Sequence, residues 1–425
     1  MAEGAPRLWR TASAVRYRLL LSVRLDRIHA RCASRGNRRG DGTNRQHGRG
    51  SHRDRQYSAD RQIVHERRRQ TPRSISEGRT EEKARRRLAT LGLDGRAATR
   101  AFTAEALGTE LAEGDLVVSM LPPPEHPGLL RLAIGHGAHF ACSSYLSRGI
   151  AEQAGAAAAG GLVVLTEIGL DPGIDHLLAH RLVRAARQVA GPAPATVRFT
   201  SYCGANPAEP NAFRYRFSWA PRGVLTALLT PARDIQGGRV VVVDRPWEAV
   251  QQVTVAGEAF EVYPNRDSLP YVSAYGIPDT WTLETFSRGT MRLDGWSAAW
   301  QDLFGELAGA DDQRLTDLAA GLAERYPTST SDHDRVVMSV KLEIRWGGER
   351  SWTGEYVLDA EGTDIEDATP RLVSVPLACG ILELLAGRVP PGLHRAASEP
   401  EAVERWLARL AGQDIVAEYH GDPIP

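Results

Sequence analysis

"GLDPGIDHLLAH", residues 169–180, decides the fold. The apolar run at 162–165 just before it is short enough for a buried parallel strand. Beyond the turn, apolar residues recur at helical spacing, so the stretch reads as strand, turn, helix. Asp171 before the helix and Pro172 just inside its start are ordinary helix-opening residues. His176 and His180 stand four apart on one helix face, a spacing that suits a metal. A zinc hydrolase, however, carries Glu at the second position of H-E-x-x-H, where Leu177 stands here. No metal site is expected.

The same layout precedes it. In "DLVVSMLPPPEHPGLLRLAIGHGAHFACSSYLS", residues 115–147, a strand over 116–121 is stopped by prolines. A helix follows with Leu129, Leu132 and Ala133 on one face, then a second strand in "HFACSS". Strand, helix, strand argues for parallel α/β units, whose ligands bind outside the carboxyl ends of the strands. That places Leu121, Pro122, Ser143, Ser144 and Tyr145 at a candidate site. The plainer alternative is that the serines and the tyrosine only cap the strand.

A doubly wound domain of this kind needs a glycine-rich loop earlier in the chain. "GDGTNR", residues 40–45, comes nearest and fails: Arg45 stands where the third glycine belongs, with no strand before it and no apolar helix after it. Residues 1–76 are rich in Arg, His, Ser and Gly, without sustained apolar periodicity, and cannot bury enough apolar surface to offset ordering. They read as a transit peptide, a nucleic-acid-binding arm, a disordered extension or an out-of-frame translation, with the last favoured. From "GRTEEKARRRLATLGL" at Gly78 onward, a helix face appears at Ala84, Leu88 and Leu91.

Length and composition add bounds. A chain of 425 residues suits two or three domains. Formal net charge is zero, with Lys only at Lys83 and Lys341, and "RLLLSVRL" at 18–25 is too short for a signal segment. The apolar runs are too short to span a bilayer. Cys32, Cys142, Cys203 and Cys379 are scattered, so a reduced, cytoplasmic protein without disulfides is expected.

Several segments in order resemble one family, the NADP-dependent, glutamate-forming saccharopine dehydrogenases. They are "ACSSYLS" at 141, "EIGLDPGIDH" at 167, "SYCGANPAEPNAFRYRFSWAPRGVL" at 201, "VYPNRDSLPY" at 262, "FSRGTMRLDGW" at 286 and "PRLVSVPLACGILELLAGRVPPG" at 370. "LDPGID" is shared with wider relatives such as carboxynorspermidine dehydrogenases, whereas the later segments are narrower. The family joins glutamate to 2-aminoadipate semialdehyde as an imine that NADPH reduces to saccharopine, and also runs the reverse.

The resemblance implies roles for particular residues. Saccharopine carries three carboxylates, for which the planar Arg fork is suited. Arg266 and Arg288 are the candidates, with Gly289 and Thr290 offering contacts beside Arg288; surface ion pairing is the bland alternative. Ser144, Tyr145 and Asp171 meet substrate and nicotinamide, Asp171 holding an ammonium or relaying a proton. Cys203 is a further proton donor by resemblance, although a small buried thiol is the commoner role. Arg79 and Thr80 stand where the second strand ends and suit a 2′-phosphate, so NADP is expected over NAD. Leu121, Ser143, Ser144, Leu170, Asp171, Pro172 and Ala220 match later cofactor contacts. The first strand, glycine loop, first helix and second strand depart from the family.

The expected fold is α/β: an incomplete Rossmann-like doubly wound domain, then an α+β substrate domain with a small helical part. The expected boundaries are 1–76, a nucleotide-binding remnant at 77–176, a substrate domain at 177–370, and a helical segment at 371–425 packing back on the nucleotide domain. "EIRWGG" and "EYVLDA" read as antiparallel strands. An oxidoreductase acting on saccharopine or a related secondary amine is the leading reading. A substrate-binding homologue without catalysis and a nucleic-acid-associated chimera stand beside it. The expected partner is a small amino-acid substrate, without membrane or nucleic acid, and a homodimer is compatible with the chain.

Overall fold

The computed structural model describes residues 74–78, 81–90, 97–217, 221–328, 332–364 and 366–425. The chain forms two compact units: one runs up to Glu167 and takes in Leu377–His394, and the other comprises Ile168–Pro376 and Arg395–Pro425.

In the first unit strands and helices alternate, as the sequence pattern requires. The strands are β1 (Ser74–Gly78), β2 (Ala97–Ala101), β3 (Leu116–Ser119), β4 (His139–Cys142) and β5 (Val163–Leu165). β1 pairs with β2 in parallel, and β3, β4 and β5 form a parallel sheet completed by a late strand in the order β14-β5-β4-β3, with β14 at Gly392–His394. Between β3 and β4 the helix His126–Gly135 buries Leu129, Leu130 and Ala133, while Leu132 is only partly buried. In a doubly wound sheet of order 3-2-1-4-5-6, the β1–β2 pair and the β3-led sheet flank the first-strand position. Among the described residues no strand occupies it.

Two expectations are corrected here. A strand, β1, ends directly before Arg79, so the second strand of the domain is present and the 76/77 boundary cuts through it. The helix Glu81–Thr90 then buries Ala84 and Leu88 as expected, whereas Leu91 lies outside the described residues.

The second unit is built on a nine-stranded mixed sheet. Its strands are β6 (Ala195–Pro207), β7 (Ala232–Gln236), β8 (Arg239–Val243), β9 (Gln251–Val255), β10 (Glu258–Pro264), β11 (Thr282–Leu293), β12 (Asp334–Trp346), β13 (Arg350–Glu361) and β15 (Glu418–Gly421). The order is β15-β13-β12-β6-β11-β10-β9, with β7 joining β11 to β8. β6 and β11 pair in parallel, and β12–β13 is the antiparallel pair foreseen from "EIRWGG" and "EYVLDA". The helix Ile174–Ala190 lies against β12, with Leu177, Leu178, Leu182 and Val183 buried at 2% exposure or less.

The small helical part is real, and an aromatic cluster holds it. Phe213, Tyr215, Trp296, Trp300 and Phe304 pack with Leu315 and Leu322 of the helix Asp312–Arg325. Trp300 donates its indole N–H to the Phe213 carbonyl at 3.0 Å, which satisfies a polar tip inside an apolar core.

The carboxyl-terminal stretch departs from the expectation of one segment packed on the nucleotide domain. β14 belongs to the first unit, but the helix Pro400–Ala411 packs on Ile174–Ala190, and β15 extends the sheet of the second unit. The helix Ala368–Leu385 is divided between the units. With 18 residues and a mean hydropathy of 1.4 it meets the length and composition of a bilayer span, contrary to the sequence reading. Most of it is buried, as in a core helix.

Candidate functional site

Within the first unit, the residues singled out at the strand ends do gather there. Leu121 follows β3, and Ser143, Ser144 and Tyr145 follow β4. Leu121 donates its N–H to Ser119 Oγ at 3.4 Å, and the Ser143 hydroxyl lies 3.9 Å from Met120 Sδ. This is the carboxyl edge of a parallel sheet, where α/β folds bind ligands. The reading of these serines as simple strand caps misses a neighbour. Ser144 Oγ lies 3.0 Å from Nε2 of His126, a residue the sequence reading did not single out.

In the second unit, the GLDPG turn departs from ordinary cap chemistry. The helix starts at Ile174, not Pro172, with Gly173 at its cap. Gly173 has φ +149°, and a Cβ there would meet the Gly169 carbonyl oxygen at 2.0 Å, so only glycine fits. Asp175 caps the Gly173 N–H through Oδ1 at 2.6 Å, which leaves Asp171 for another partner. That partner is Arg288.

Arg288, 1% exposed, donates from Nη2 to Asp171 Oδ1 and to Asp175 Oδ2, both at 2.6 Å. Its guanidinium also covers the Tyr271 ring at 4.2 Å, the cation–π arrangement. His176 stacks on Tyr271 at 5.2 Å, and its Nδ1 lies 2.8 Å from the Tyr275 hydroxyl. Burial holds the Tyr275 phenol well above its usual range, so it stays protonated. Arg395, whose guanidinium lies 5.7 Å from the same Tyr271 ring, brings another cation to this cluster. Two carboxylates thus share one buried guanidinium, with Arg395 beside the same ring as a second cation.

Arg266 comes to the same strand end through the backbone. Asn265 donates its N–H to the Arg288 carbonyl, and Arg288 donates its own to Ser268 Oγ at 3.0 Å. Arg266 itself is half-buried and has φ +60°, a left-handed conformation that costs a non-glycine residue energy.

The remaining expectations fare differently. Gly289 lies inside the sheet, where a Cβ would meet Val262, Tyr202 and the Tyr263 carbonyl, so it acts as a packing glycine. Thr290 stands two residues from Arg288 on the same strand and is partly exposed. Cys203 is buried; its surroundings, then Asp171 and Asp175, push the thiol well above its ordinary value. It is therefore a neutral thiol, not a group poised near neutral pH. The sequence-matched cofactor residues are divided: Leu121, Ser143 and Ser144 belong to the first unit, and Leu170, Asp171 and Pro172 to the second. Arg79, Thr80 and Ala220 lie outside the described residues, as do residues 1–73 and with them the nucleic-acid-arm reading.

Asp175, Tyr271, Tyr275 and Arg395 were not singled out from the sequence. The first sits inside the quoted "LDPGID", and Tyr271 closes the quoted "VYPNRDSLPY". Nothing local marks Arg395. A cavity of about 400 Å³ also opens on the second unit's sheet, lined by Arg198, Thr200, Tyr202, Asp234 and Glu355 among others. None of the candidate residues faces it.

Together these features define a protein with a Rossmann-like nucleotide-binding unit and a mixed-sheet unit holding a buried carboxylate–guanidinium cluster. Residues 169–416 match the saccharopine dehydrogenase C-terminal domain, and residues 66–165 match the saccharopine dehydrogenase NADP binding domain. The chain belongs to the saccharopine dehydrogenase family. It is 38% identical over 197 residues to the NADP(+), L-glutamate-forming saccharopine dehydrogenase of Schizosaccharomyces pombe, covering 45% of this chain and 42% of that one. It is 37% identical over 203 residues to the mitochondrial alpha-aminoadipic semialdehyde synthase of Bos taurus, covering 46% and 21% respectively. The matches thus span less than half the length of these relatives. The fold is similar to that of apo saccharopine dehydrogenase (L-Glu forming) from Saccharomyces cerevisiae, with TM-score 0.67 and 24% identity over 83% of this chain and 94% of that one.

Proposed function

We propose that the chain is an NADP-dependent oxidoreductase acting on the carbon–nitrogen bond of saccharopine or a closely related secondary amine. The balanced reaction is saccharopine, NADP⁺ and water giving glutamate, 2-aminoadipate semialdehyde, NADPH and a proton. The observation that carries this reading is the buried pair Asp171 and Asp175 on the single guanidinium of Arg288. A carboxylate held in this way is suited to hydrogen-bond the substrate's secondary ammonium. The side chain of Asp171, 10% exposed against 0% for Asp175, supports Asp171 as the member that takes that proton.

Arg266 supplies an additional cation for substrate carboxylates. Tyr145 lies next to Ser144 in the loop after β4 and is assigned to substrate contact. NADP, when bound, supplies the hydride acceptor. The carboxyl edge of β3 and β4 fits such a cofactor, with Leu121, Ser143 and Ser144 as its contacts in the first unit.

A specific observation favours a second reading, a homologue that binds substrate without turnover. No G-x-G-x-x-G stands in residues 1–76, and none of the described strands fills the first position of the parallel sheet. Saccharopine-dependent NADPH formation supports the first reading, and saccharopine binding without NADP binding supports the second. A cytoplasmic location and a homodimer are the expected outcomes of fractionation and light scattering.

A further inference from the structure

Ser144 does not hold its hydroxyl alone. His126 reaches it through Nε2 at 3.0 Å, while the other ring nitrogen, Nδ1, lies 3.1 Å from Ser119 Oγ at the end of β3. The ring is 1% exposed and stands edge-on to Phe140 at 6.1 Å. Burial pushes the imidazole down to about 4, so near neutral pH it offers one N–H donor and one acceptor.

The neutral ring bridges the two hydroxyls in either of two tautomers. Ser119 Oγ accepts the Leu121 N–H and keeps a second lone pair and its own hydrogen for Nδ1. With the hydrogen on Nε2, Nδ1 accepts from Ser119 and Nε2–H donates to Ser144 Oγ. In that tautomer the Ser144 hydrogen points away from the ring.

The backbone beside Ser144 is pinned as well. Glu167 donates its N–H to the Ser144 carbonyl at 3.0 Å, and its Oε1 accepts the Leu146 N–H at 2.9 Å. Glu167 is 1% exposed and has φ +54°, a strained conformation that the surrounding contacts hold in place.

We infer that His126 carries its hydrogen on Nε2 and is a positioning residue: it fixes Ser144 as a hydrogen-bond donor toward a ligand oxygen of carboxamide or carboxylate type. The identity of the ligand rests on the function proposed above; the positioning itself does not. Polarised chains of this kind strengthen the terminal donor.

The test compares His126→Phe, His126→Gln, Ser144→Ala and the double variant H126F/S144A in saccharopine oxidation. His126→Phe is expected to lower kcat/KM about tenfold, and His126→Gln, which keeps an N–H for Ser144, to recover most of it. The double variant should be no worse than Ser144→Ala. A rise confined to the KM for NADP points to a carboxamide, and one confined to the KM for saccharopine points to a carboxylate. Additive losses in the double variant, or unchanged kinetics in His126→Phe, overturn the inference.

Hydrogen exchange of the amides at 143–147 separates this inference from the functional reading. If the wild type shows no turnover, the functional reading fails, yet exchange still decides the role of His126. Faster exchange in His126→Phe that His126→Gln reverses supports it, and unchanged exchange overturns it. If His126→Phe does not fold, Ser119→Ala decides by the same measurement.

Discussion

Asp171 Oδ1 accepts a 2.6 Å hydrogen bond from Nη2 of Arg288, with the two side chains 10% and 2% exposed. Asp175 binds the same nitrogen at 2.6 Å with its side chain fully buried. The two carboxylates should therefore respond differently to neutralisation. Asp171→Asn is expected to lower kcat/KM by about 10²–10⁴-fold, the range for a positioned acid–base group. Asp175→Asn is expected to cost about 3–5 kcal/mol of stability, as when one member of a buried pair is removed. Steady-state kinetics beside thermal melts check this, and equal kinetic losses with no difference in melting would contradict it.

Arg266 carries its own control. Its φ of +60° costs a side chain about 1 kcal/mol or more, which glycine avoids. Arg266→Gly is expected to raise the KM for saccharopine at least tenfold while melting higher than Arg266→Ala. Arg266→Ala should raise KM as much without that relief. A glycine variant that melts no higher than the alanine variant, or an unchanged KM in both, would contradict this.

Cys203 separates the resemblance from the local chemistry. Its neutral, buried thiol is a poor match for proton transfer near pH 7. Cys203→Ser is expected to keep kcat within about tenfold of wild type, well short of the Asp171→Asn loss. A loss as large as that of Asp171→Asn would reinstate the thiol as a proton donor.

Stability should fall on mild acidification. Burial holds His126 at about 4, and burial together with His176 holds His180 at about 4, against an ordinary 6.5. Between these values the unfolded chain takes up protons that the folded chain refuses. Stability is retained above about 6.5 and lost as pH falls toward about 4, by about 3 kcal/mol for His126. Urea midpoints at neutral pH and near pH 4.5 read this directly, and a flat profile would contradict it.

Much of this was legible in the sequence because it is local. The strand–turn–helix at 162–190, the β12–β13 hairpin and the buried face at Ala84 and Leu88 follow from apolar period and turn chemistry. What was not legible depends on distant partners. Asp171 reads as a helix cap until Arg288, far along the chain, is brought to it and Asp175 takes over the cap. His126 looks like one polar residue in a proline-rich turn, because its two serine partners lie on different strands. β1 was missed for a related reason. Its five residues, SISEG, carry no apolar alternation, and the strand is defined by pairing with β2.

The most direct test of the account is the near-ultraviolet absorbance of NADPH when the 425-residue chain is given saccharopine and NADP⁺. The account predicts saccharopine-dependent NADPH formation, with semialdehyde appearing in equal amount and the rate collapsing in Asp171→Asn. A folded chain whose tryptophan fluorescence responds to saccharopine but which forms no NADPH would contradict it, leaving a binding protein in place of an enzyme.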